Sequence, residues 1–290
     1  MRFGLHALGV GTGARPEVIR AVAVTAEAAG FATLWAGEHV VLVDEPRSRY
    51  PYSADGRIAV PAAADWLDPL LALSFAAAVT TTIGLATGVL LLPEHNPVVT
   101  AKQAATLDVL SGGRLTLGVG IGWSAEEFAA LGVPFARRGQ RTAEYVAAMR
   151  TLWADDVASF SGEFTRFESV RVNPRPVRDR RIPVVLGGNS DAALARVAAF
   201  GDGWYGFGLP AAAVAGRIAA LARQCERHGR RRGELSVAVA LADGRPAMLP
   251  ELAGMGVTEL VVVAAPPSGP AAAVTWVAEL AARWGVSPGR

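Results

Sequence analysis

The sequence has few of the residues that build disulfides or metal sites. Its 290 residues include one cysteine, Cys225, and four histidines. A single cysteine excludes an internal disulfide and is consistent with a reducing compartment. Neither a His-x-x-x-His nor a Cys-x-x-Cys spacing occurs, so we expect no metal site. Cys225 lies in a helical segment and is interpreted as inert packing.

An excess of one charge and long apolar runs are also missing. The net charge is only +2, which is too small to indicate a nucleic-acid partner. The apolar runs reach about ten residues, whereas a membrane-spanning helix needs about 20. No leader-like segment precedes the first strand-like residues. We therefore expect a cytoplasmic protein with no membrane partner.

One βαβ unit organises the sequence. Hydrophobic residues make up 51% of the chain, and two apolar runs of strand length, Ile83–Leu92 and Leu115–Ile121, flank a helical pattern at Val98–Leu110. Asn96 is a good N-cap for that helix. Ligands of parallel α/β folds bind at the carboxyl ends of the strands. The glycines at those ends of this unit therefore mark a candidate site.

Similar strand and helix patterns continue along the whole chain. The predicted strands are Arg2–Leu8, Thr33–Ala36, Ile83–Leu92, Leu115–Ile121, Pro183–Leu186, Gly201–Gly206, Leu235–Leu241 and Glu259–Val263. Eight strands alternating with helices predict an α/β fold, a (β/α)8 TIM barrel in a single domain spanning residues 1–290. A doubly wound open sheet is the alternative. It is disfavoured because Gly9–Gly13 does not match the Gly-x-Gly-x-x-Gly spacing.

The ends of the predicted strands carry the candidate functional residues. Glu38-His39 follows strand two, and a histidine at the barrel mouth can exchange a proton or only cap a loop. Thr87-Gly88-Val89 ends strand three, where glycine permits close approach of a flat ligand or forms an ordinary bulge. His6 and His95 are further candidates for the mouth.

Glycines recur after the next two strands. Gly118, Gly120 and Gly122 precede Trp123, and they either leave room for a bulky group or allow tight packing. Gly187-Gly188-Asn189-Ser190 opens a helix, and its backbone N–H groups suit a phosphate or form a simple capped turn. Ser124, with Glu127 three residues later, forms the pattern of a capping box.

These residues together resemble a known family. The motifs are Trp35-x-x-Glu38-His39, Ala86-Thr87-Gly88-Val89, Asn96-Pro97 followed by Lys102-Gln103, Leu107-Asp108-x-Leu110-Ser111-Gly112-Gly113-Arg114, Gly118 to Trp123, Glu126-Glu127-Phe128, Pro183-x-x-x-Gly187-Gly188 and Asp202-Gly203-Trp204. In this combination and order the chain resembles the bacterial luciferase-like flavin and deazaflavin oxidoreductases, with the closest likeness to the coenzyme F420-dependent branch. The likeness covers nearly the whole chain.

The resemblance implies a luciferase-like (β/α)8 barrel, often dimeric, with F420 or FMN in its mouth. It implies that His39 lies near the reactive ring, that a non-prolyl cis peptide joins Gly88 and Val89, and that Gly187-Gly188 lies near the cofactor phosphate. The residues expected to contact the cofactor are Glu38, His39, Thr87, Gly88, Val89, Gly120, Gly122, Trp123, Gly187, Gly188, Asn189 and Ser190. Trp123 stands where F420-dependent glucose-6-phosphate dehydrogenases have a proton-donating Glu, which argues against a sugar-phosphate substrate.

The expected function is F420-dependent hydride transfer to or from a small organic substrate, with His39 as the catalytic residue. The alternatives are an FMN-dependent monooxygenase and a non-catalytic flavin-binding protein. A homodimer is expected from the family likeness. The basic segment Arg171–Arg181 either attracts the acidic tail of F420 or forms a solvated loop.

Overall fold

A computed structural model describes residues 1–288 of the chain. Its strands are β1 (Arg2–Leu8), β2 (Thr33–Ala36), β3 (Gly84–Thr87), β4 (Leu90–Leu91), β5 (Leu115–Gly120), β6 (Ala158–Ser161), β7 (Arg166–Val170), β8 (Val184–Gly187), β9 (Gly203–Leu209), β10 (Ser236–Leu241) and β11 (Glu259–Val263). Its α-helices are α1 (Pro16–Ala29), α2 (Pro69–Ala77), α3 (Pro97–Leu110), α4 (Ala125–Ala130), α5 (Arg138–Ala154), α6 (Asp191–Phe200), α7 (Ala211–Arg227), α8 (Leu249–Gly254) and α9 (Pro270–Trp284).

The parallel strands close into a barrel. The sheet runs β3-β2-β1-β11-β10-β9-β8-β5-β4, and an additional pairing of β3 with β5 joins its two edges. Because β3 and β4 are the two halves of the predicted third strand, the barrel has eight strand positions, and the predicted TIM barrel is confirmed. The antiparallel pair β6–β7 forms a separate two-stranded sheet outside the barrel.

The third strand is interrupted where the sequence places Thr87-Gly88-Val89. Residues 88 and 89 belong to neither β3 nor β4, and the peptide bond that joins Gly88 to Val89 is cis. The expected cis peptide is therefore confirmed. The Gly88 backbone N–H still donates to the Ala36 carbonyl oxygen at 2.7 Å, so the bulge stays attached to the end of β2.

Local capping chemistry determines where several helices begin. The side chains of Asp68, Asn96, Ser124 and Ser190 accept hydrogen bonds from backbone N–H groups in the first turns of α2, α3, α4 and α6. Helix α2 ends at Ala77. There the Arg114 guanidinium donates to the carbonyl oxygens of Ala77 and Thr80, which satisfies groups that a longer helix would have used itself.

The interior of the barrel is filled by a small apolar cluster above a polar floor. The cluster comprises Trp35, Ala86, Val185, Tyr205, Ala238, Ala240 and Val261. Below it, at the first residue of β11, Glu259 accepts from Trp35 Nε1 at 2.8 Å and pairs with Arg2 at 3.3 Å. The amino-terminal end of the barrel is thus closed, and the opposite end is left for a ligand. Among residues 1–288, no helix combines the length and apolar character needed to span a membrane.

The basic segment Arg171–Arg181 lies at the wrong end of the barrel to meet a ligand in the mouth. It leads into the start of β8, and Val177 N donates to Asp108 Oδ2 at 2.8 Å near the start of β5. Three of its five arginines also have a carboxylate partner, since Arg175 and Arg180 pair with Asp156 and Arg181 pairs with Asp202. The structure therefore favours a structural segment over a site that attracts the cofactor.

Candidate active site

His39 is held at the barrel mouth by a buried carboxylate. Its Nδ1 lies 2.8 Å from Glu127 Oε2, and the side chains of the two residues are 6% and 0% exposed. Because an ionised carboxylate only accepts hydrogen bonds, Nδ1 carries a hydrogen. In the neutral imidazole this leaves Nε2 as an acceptor, which can exchange a proton with a ligand that displaces the Trp123 N–H from it. The pair therefore orients His39 for acid–base chemistry.

Two tryptophans enclose the His39 ring. Trp123 Nε1 lies 3.4 Å from His39 Nε2, a long contact that a substrate hydroxyl can replace. The Trp66 ring stands edge-on to His39 with a centroid distance of 4.9 Å, and its Nε1 donates to the Gly37 carbonyl oxygen at 2.9 Å. His39 is thus packed between aromatic rings, and its Nε2 faces Trp123.

Glu127 does not complete the capping box that the sequence predicts. Ser124 Oγ accepts from Glu127 N at 3.2 Å, as expected of an N-cap. The Glu127 carboxylate instead accepts from the backbone N–H groups of Val40 and Val41 at 2.7 and 3.2 Å. One carboxylate therefore fixes both the His39 ring and the first residues of the loop after β2.

Glu38, which the sequence predicts to contact the cofactor, is hydrogen-bonded to His95 and to the Leu91 backbone. His95 Nε2 lies 3.0 Å from both Glu38 carboxylate oxygens, and Leu91 N donates to Oε2 at 2.6 Å. Although burial alone lowers the pKa of His95, its hydrogen bond to Glu38 raises it above the ordinary value. These contacts join the end of β2 to the segment after β4, and the cofactor contact of Glu38 stays a prediction.

Glu94 is a third buried carboxyl group beside these two pairs. The residue is 8% exposed, and within residues 1–288 neither carboxylate oxygen has a hydrogen-bond partner. Burial, with smaller contributions from the charges of Glu127 and Glu38, raises the pKa of Glu94 to about 9. The carboxyl is therefore protonated and uncharged at neutral pH, which avoids three negative charges behind the mouth.

We expect Glu94→Gln to flatten the dependence of stability on pH. The pKa of Glu94 rises from 4.5 to about 9 on folding, so the folded state holds this proton more tightly than the unfolded state. Wild-type stability therefore falls as pH rises through that window, by at most about 1.4 kcal/mol per pH unit. Thermal melts of wild type, Glu94→Gln and the exposed control Glu226→Gln from pH 5 to 9 test this. Parallel profiles of wild type and Glu94→Gln would contradict it.

His6 forms the floor of the mouth together with Tyr205. Its Nδ1 lies 3.1 Å from the Tyr205 hydroxyl, and burial lowers the pKa of His6 to about 4. The ring faces the bulge, because a Cβ placed on Gly88 would lie 3.1 Å from His6 Cε1. The sequence suggests that His6 is either a buried polar residue or a residue that lines the pocket. In the structure it is a neutral residue that lines the mouth.

The glycines of β5 and β8 are explained first by packing around the bulge. A Cβ on Gly120 would lie 2.5 Å from Val89 Cγ2, and one on Gly187 would lie 3.0 Å from Val89 Cγ1. Gly122 has φ +75° and faces Phe128 and Glu94. Of the three glycines predicted to leave room for a bulky group, Gly118 meets the Thr87 carbonyl oxygen, Gly120 meets Val89 and Gly122 meets Phe128, so the structure favours tight packing. The cofactor contacts of Gly120, Gly122 and Gly187 stay predictions.

The remaining predicted residues with polar side chains are Thr87, Ser190 and Asn189. The first two make structural hydrogen bonds, and only Asn189 keeps an atom for a ligand. Thr87 is fully buried, and its hydroxyl donates to the Gly118 carbonyl oxygen at 2.6 Å. Ser190 caps α6 by accepting from Ala193 N at 3.2 Å. Asn189 Nδ2 donates to the Phe207 carbonyl oxygen at 2.7 Å, whereas its buried Oδ1 has no partner within residues 1–288. Asn189 therefore offers a ligand an unused hydrogen-bond acceptor.

A basic cavity of about 490 Å³ lies between the amino-terminal turns of α5 and Arg196 of α6. Ile121, Arg138 and Arg196 are among its lining residues. Within residues 1–288, neither arginine pairs with a carboxylate. Arg138 Nε donates to the Gly122 carbonyl oxygen at 3.1 Å. Burial, and secondarily the charge of Arg138, lowers the pKa of Arg196. Two cations facing one cavity fit an anionic group.

The sequence reasoning missed three parts of this site. Glu127 gave no signal because its partner His39 lies 88 positions away and the local capping pattern accounted for it. Arg137-Arg138 did give a signal in the sequence. The helix dipole disfavours cations in the first turn of α5, so two arginines there suggest a functional role. Glu94 was also detectable as a carboxylate that directly follows an apolar run. No group of His, Cys, Asp and Glu is arranged to bind a metal ion in the part of the chain that the structure describes.

Solved structures support the fold. The chain matches monooxygenase RslO1 from Streptomyces bottropensis with a TM-score of 0.77 at 20% identity, covering 98% of each chain. It matches the coenzyme F420-dependent tetrahydromethanopterin reductase from Methanopyrus kandleri with a TM-score of 0.73 at 17% identity, covering 95% of this chain and 97% of that one. At these identities the matches establish the architecture.

Sequence relatives identify the family. The chain is 38% identical over 205 residues to uncharacterized protein Rv0953c from Mycobacterium tuberculosis, covering 70% of this chain and 71% of the relative. It is 35% identical over 113 residues to the FMNH(2)-dependent dimethylsulfone monooxygenase of Pseudomonas putida, covering 38% and 31%. The model of the luciferase-like monooxygenase family matches residues 1–242. The chain therefore belongs to the luciferase-like monooxygenase family.

Proposed function

We propose that this protein is an F420-dependent oxidoreductase that transfers a hydride between the deazaflavin and a small organic substrate. The observation that carries the proposal is the His39–Glu127 pair, which places an acid–base group at the mouth of a barrel of this family. The cysteine content and the resemblance to F420 enzymes support a cytoplasmic enzyme of that branch.

The residues at the mouth fit such a cofactor. Arg138 and Arg196 would hold an anionic tail in their cavity, and Asn189 Oδ1 would accept a hydrogen bond that it lacks within residues 1–288. When bound, F420 supplies a two-electron hydride carrier. His39 Nε2 would accept the proton that a substrate hydroxyl releases as its carbon becomes a carbonyl, or would return that proton in the reverse direction.

An FMN-dependent monooxygenase is the second candidate. It is supported by the similarity to the dimethylsulfone monooxygenase of Pseudomonas putida. FMN also carries an anionic group that the arginine cavity would suit, so the cavity alone does not distinguish the cofactors. A non-catalytic flavin-binding protein is the third candidate, and it gives no role to the orientation of His39 by Glu127.

We expect Arg138→Gln and Arg196→Gln each to weaken cofactor binding about tenfold, since a charged hydrogen bond is worth about 1.5–3 kcal/mol. Fluorescence titration of each variant with F420, and separately with FMN, measures this effect. Arg20→Gln, at an exposed position on α1, is the matched control. Tighter wild-type binding of FMN than of F420 would favour the monooxygenase. Unchanged affinity in both cavity variants would remove the cavity from the site.

We propose further that the protein forms a homodimer through α2 and α3. Leu71 and Phe75 on α2 are 70% and 39% exposed, and Val99 on α3 is 54% exposed. Leu71 and Phe75 lie one helical turn apart on the same face. We expect Leu71→Asp to shift the protein to a monomer in sedimentation or sizing measurements. Val274→Asp on α9 is the control and should leave the mass unchanged. A monomeric wild type would contradict the proposal.

A further inference from the structure

Seven rings surround one half of the barrel mouth and form an almost continuous series of contacts. We call them the aromatic rim: His6, Phe207, Tyr52, Tyr50, Trp123, His39 and Trp66. Neighbouring ring centroids are 6.0 Å apart for His6–Phe207, 5.4 Å for Phe207–Tyr52, 5.3 Å for Tyr52–Tyr50, 5.3 Å for Tyr50–Trp123, 5.7 Å for Trp123–His39 and 4.9 Å for His39–Trp66.

The rim closes on itself through the backbone of Gly37. Trp66 Nε1 donates to the Gly37 carbonyl oxygen at 2.9 Å, and a Cβ on Gly37 would lie 3.2 Å from His6 Nε2. The floor inside the rim is accessible, since His6, Gly88 and Val89 each keep part of their surface exposed to solvent. The rim therefore borders a surface that solvent reaches.

The two halves of the mouth differ in the side chains that they present. The carboxyl ends of β5 and β8 present the backbone of Gly120, Gly187 and Gly188, and Val89 packs against the first two of these. The aromatic rim instead draws six of its rings from β1, β9 and the loop after β2, and only Trp123 comes from the loop after β5. A cofactor seated against Val89, which covers Gly120 and Gly187, would thus have the rim on its other side. This division assigns the aromatic half to the substrate and rests on the proposed function.

The rim carries little charge. Tryptophan and phenylalanine are neutral, burial lowers the pKa of His6 to about 4, and burial raises the pKa of Tyr52 above its ordinary value. No lysine or arginine belongs to the rim. An anionic substrate would therefore lose its hydration without gaining a cationic partner. Aromatic side chains instead favour offset-stacked or edge-to-face contacts with another ring.

The loop that carries Tyr50 and Tyr52 is fixed rather than loose at its start. Arg47 N and Ser48 N donate to Glu126 Oε1 at 2.8 and 3.1 Å, and Ala125 N donates to Ser48 Oγ at 3.0 Å. The rings of Tyr50 and Tyr52 are thus held in place before a ligand arrives, which reduces the entropy lost on binding.

We propose that the aromatic rim binds a flat, uncharged aromatic substrate, with an oxygen substituent directed toward His39. Three features exclude other classes: the neutral rim disfavours carboxylates and phosphates, the planar ring faces favour aromatic over saturated rings, and the His39 pair requires a hydroxyl or carbonyl oxygen. The long loop after β2, which has no recognisable sequence motif, thereby determines the substrate class.

Calorimetric titration with three bicyclic probes tests this inference. 2-Naphthol is flat and neutral, 2-naphthoate is flat and anionic, and trans-2-decalol is neutral and saturated. We expect wild type to bind 2-naphthol at least tenfold more tightly than the other two. Phe207→Leu and Tyr52→Leu, which keep an apolar side chain, should each lose about tenfold in affinity for 2-naphthol. Phe160→Leu on β6, outside the barrel, is the matched control and should bind normally.

Equal affinity for 2-naphthol and either other probe would overturn the inference. So would a loss in Phe160→Leu as large as the losses in the two rim variants. Titration of the same samples with F420 separates this inference from the proposed function. If the protein binds F420 but does not discriminate among the probes, only the substrate class is rejected. If it discriminates among the probes but does not bind F420, the cofactor is rejected and the aromatic rim remains the binding surface for an aromatic ligand.

Discussion

We expect His39→Ala to lower the rate of the proposed hydride transfer by about 10²–10⁴-fold, the contribution of a positioned acid–base group, while cofactor affinity stays nearly unchanged. The reason is that Nε2 is the ring atom left to a ligand once Nδ1 is bound to Glu127 at 2.8 Å. Single-turnover transfer between F420 and a panel of enones, alcohols and nitro compounds measures the rate, and fluorescence titration measures the affinity.

Two further variants separate the chemical role of His39 from a structural one. His39→Gln keeps a donor for Glu127 but cannot exchange a proton, so it should be as slow as His39→Ala and melt close to wild type. His228→Ala, at the exposed end of α7, should turn over normally. If His39→Gln transfers hydride at the wild-type rate, the proton is handled elsewhere, and His6 or His95 becomes the next candidate.

Glu127→Ala is expected to destabilise the fold by about 3–5 kcal/mol, because it removes a buried acceptor from three hydrogen bonds and each unsatisfied buried donor costs about 1–3 kcal/mol. The side chain is 0% exposed. Its loss leaves His39 Nδ1 and the backbone N–H groups of Val40 and Val41 without an acceptor. Chemical denaturation measures the free energy of unfolding. Glu127→Gln keeps the shape and one acceptor, so a smaller loss of about 1–3 kcal/mol is expected.

The neighbouring Glu126 provides a matched control. It also accepts from two backbone N–H groups, those of Arg47 and Ser48, but it is more exposed than Glu127. Glu126→Ala should therefore cost much less stability than Glu127→Ala. Equal losses in the two variants would mean that anchoring of the loop, rather than the buried pair with His39, accounts for the effect.

The sequence by itself determined the barrel and its local boundaries. Alternating apolar strands and helices are a property of successive residues, and Asp68, Asn96 and Ser124 cap their helices because a cap needs only backbone groups two or three residues away. The interruption of the third strand at Gly88-Val89 was predictable for a related reason, since the motif that carries the family likeness lies within one short segment.

The tertiary structure alone decided which polar side chains meet at the mouth. Glu127 had a local use as a capping residue, but once buried it is better satisfied by His39 and the Val40 and Val41 backbone. The basic Arg171–Arg181 segment carries the same charge wherever it lies, and only the fold places it at the end of the barrel opposite the mouth. Burial and distance between remote segments, which no local pattern records, fix the chemistry of the candidate site.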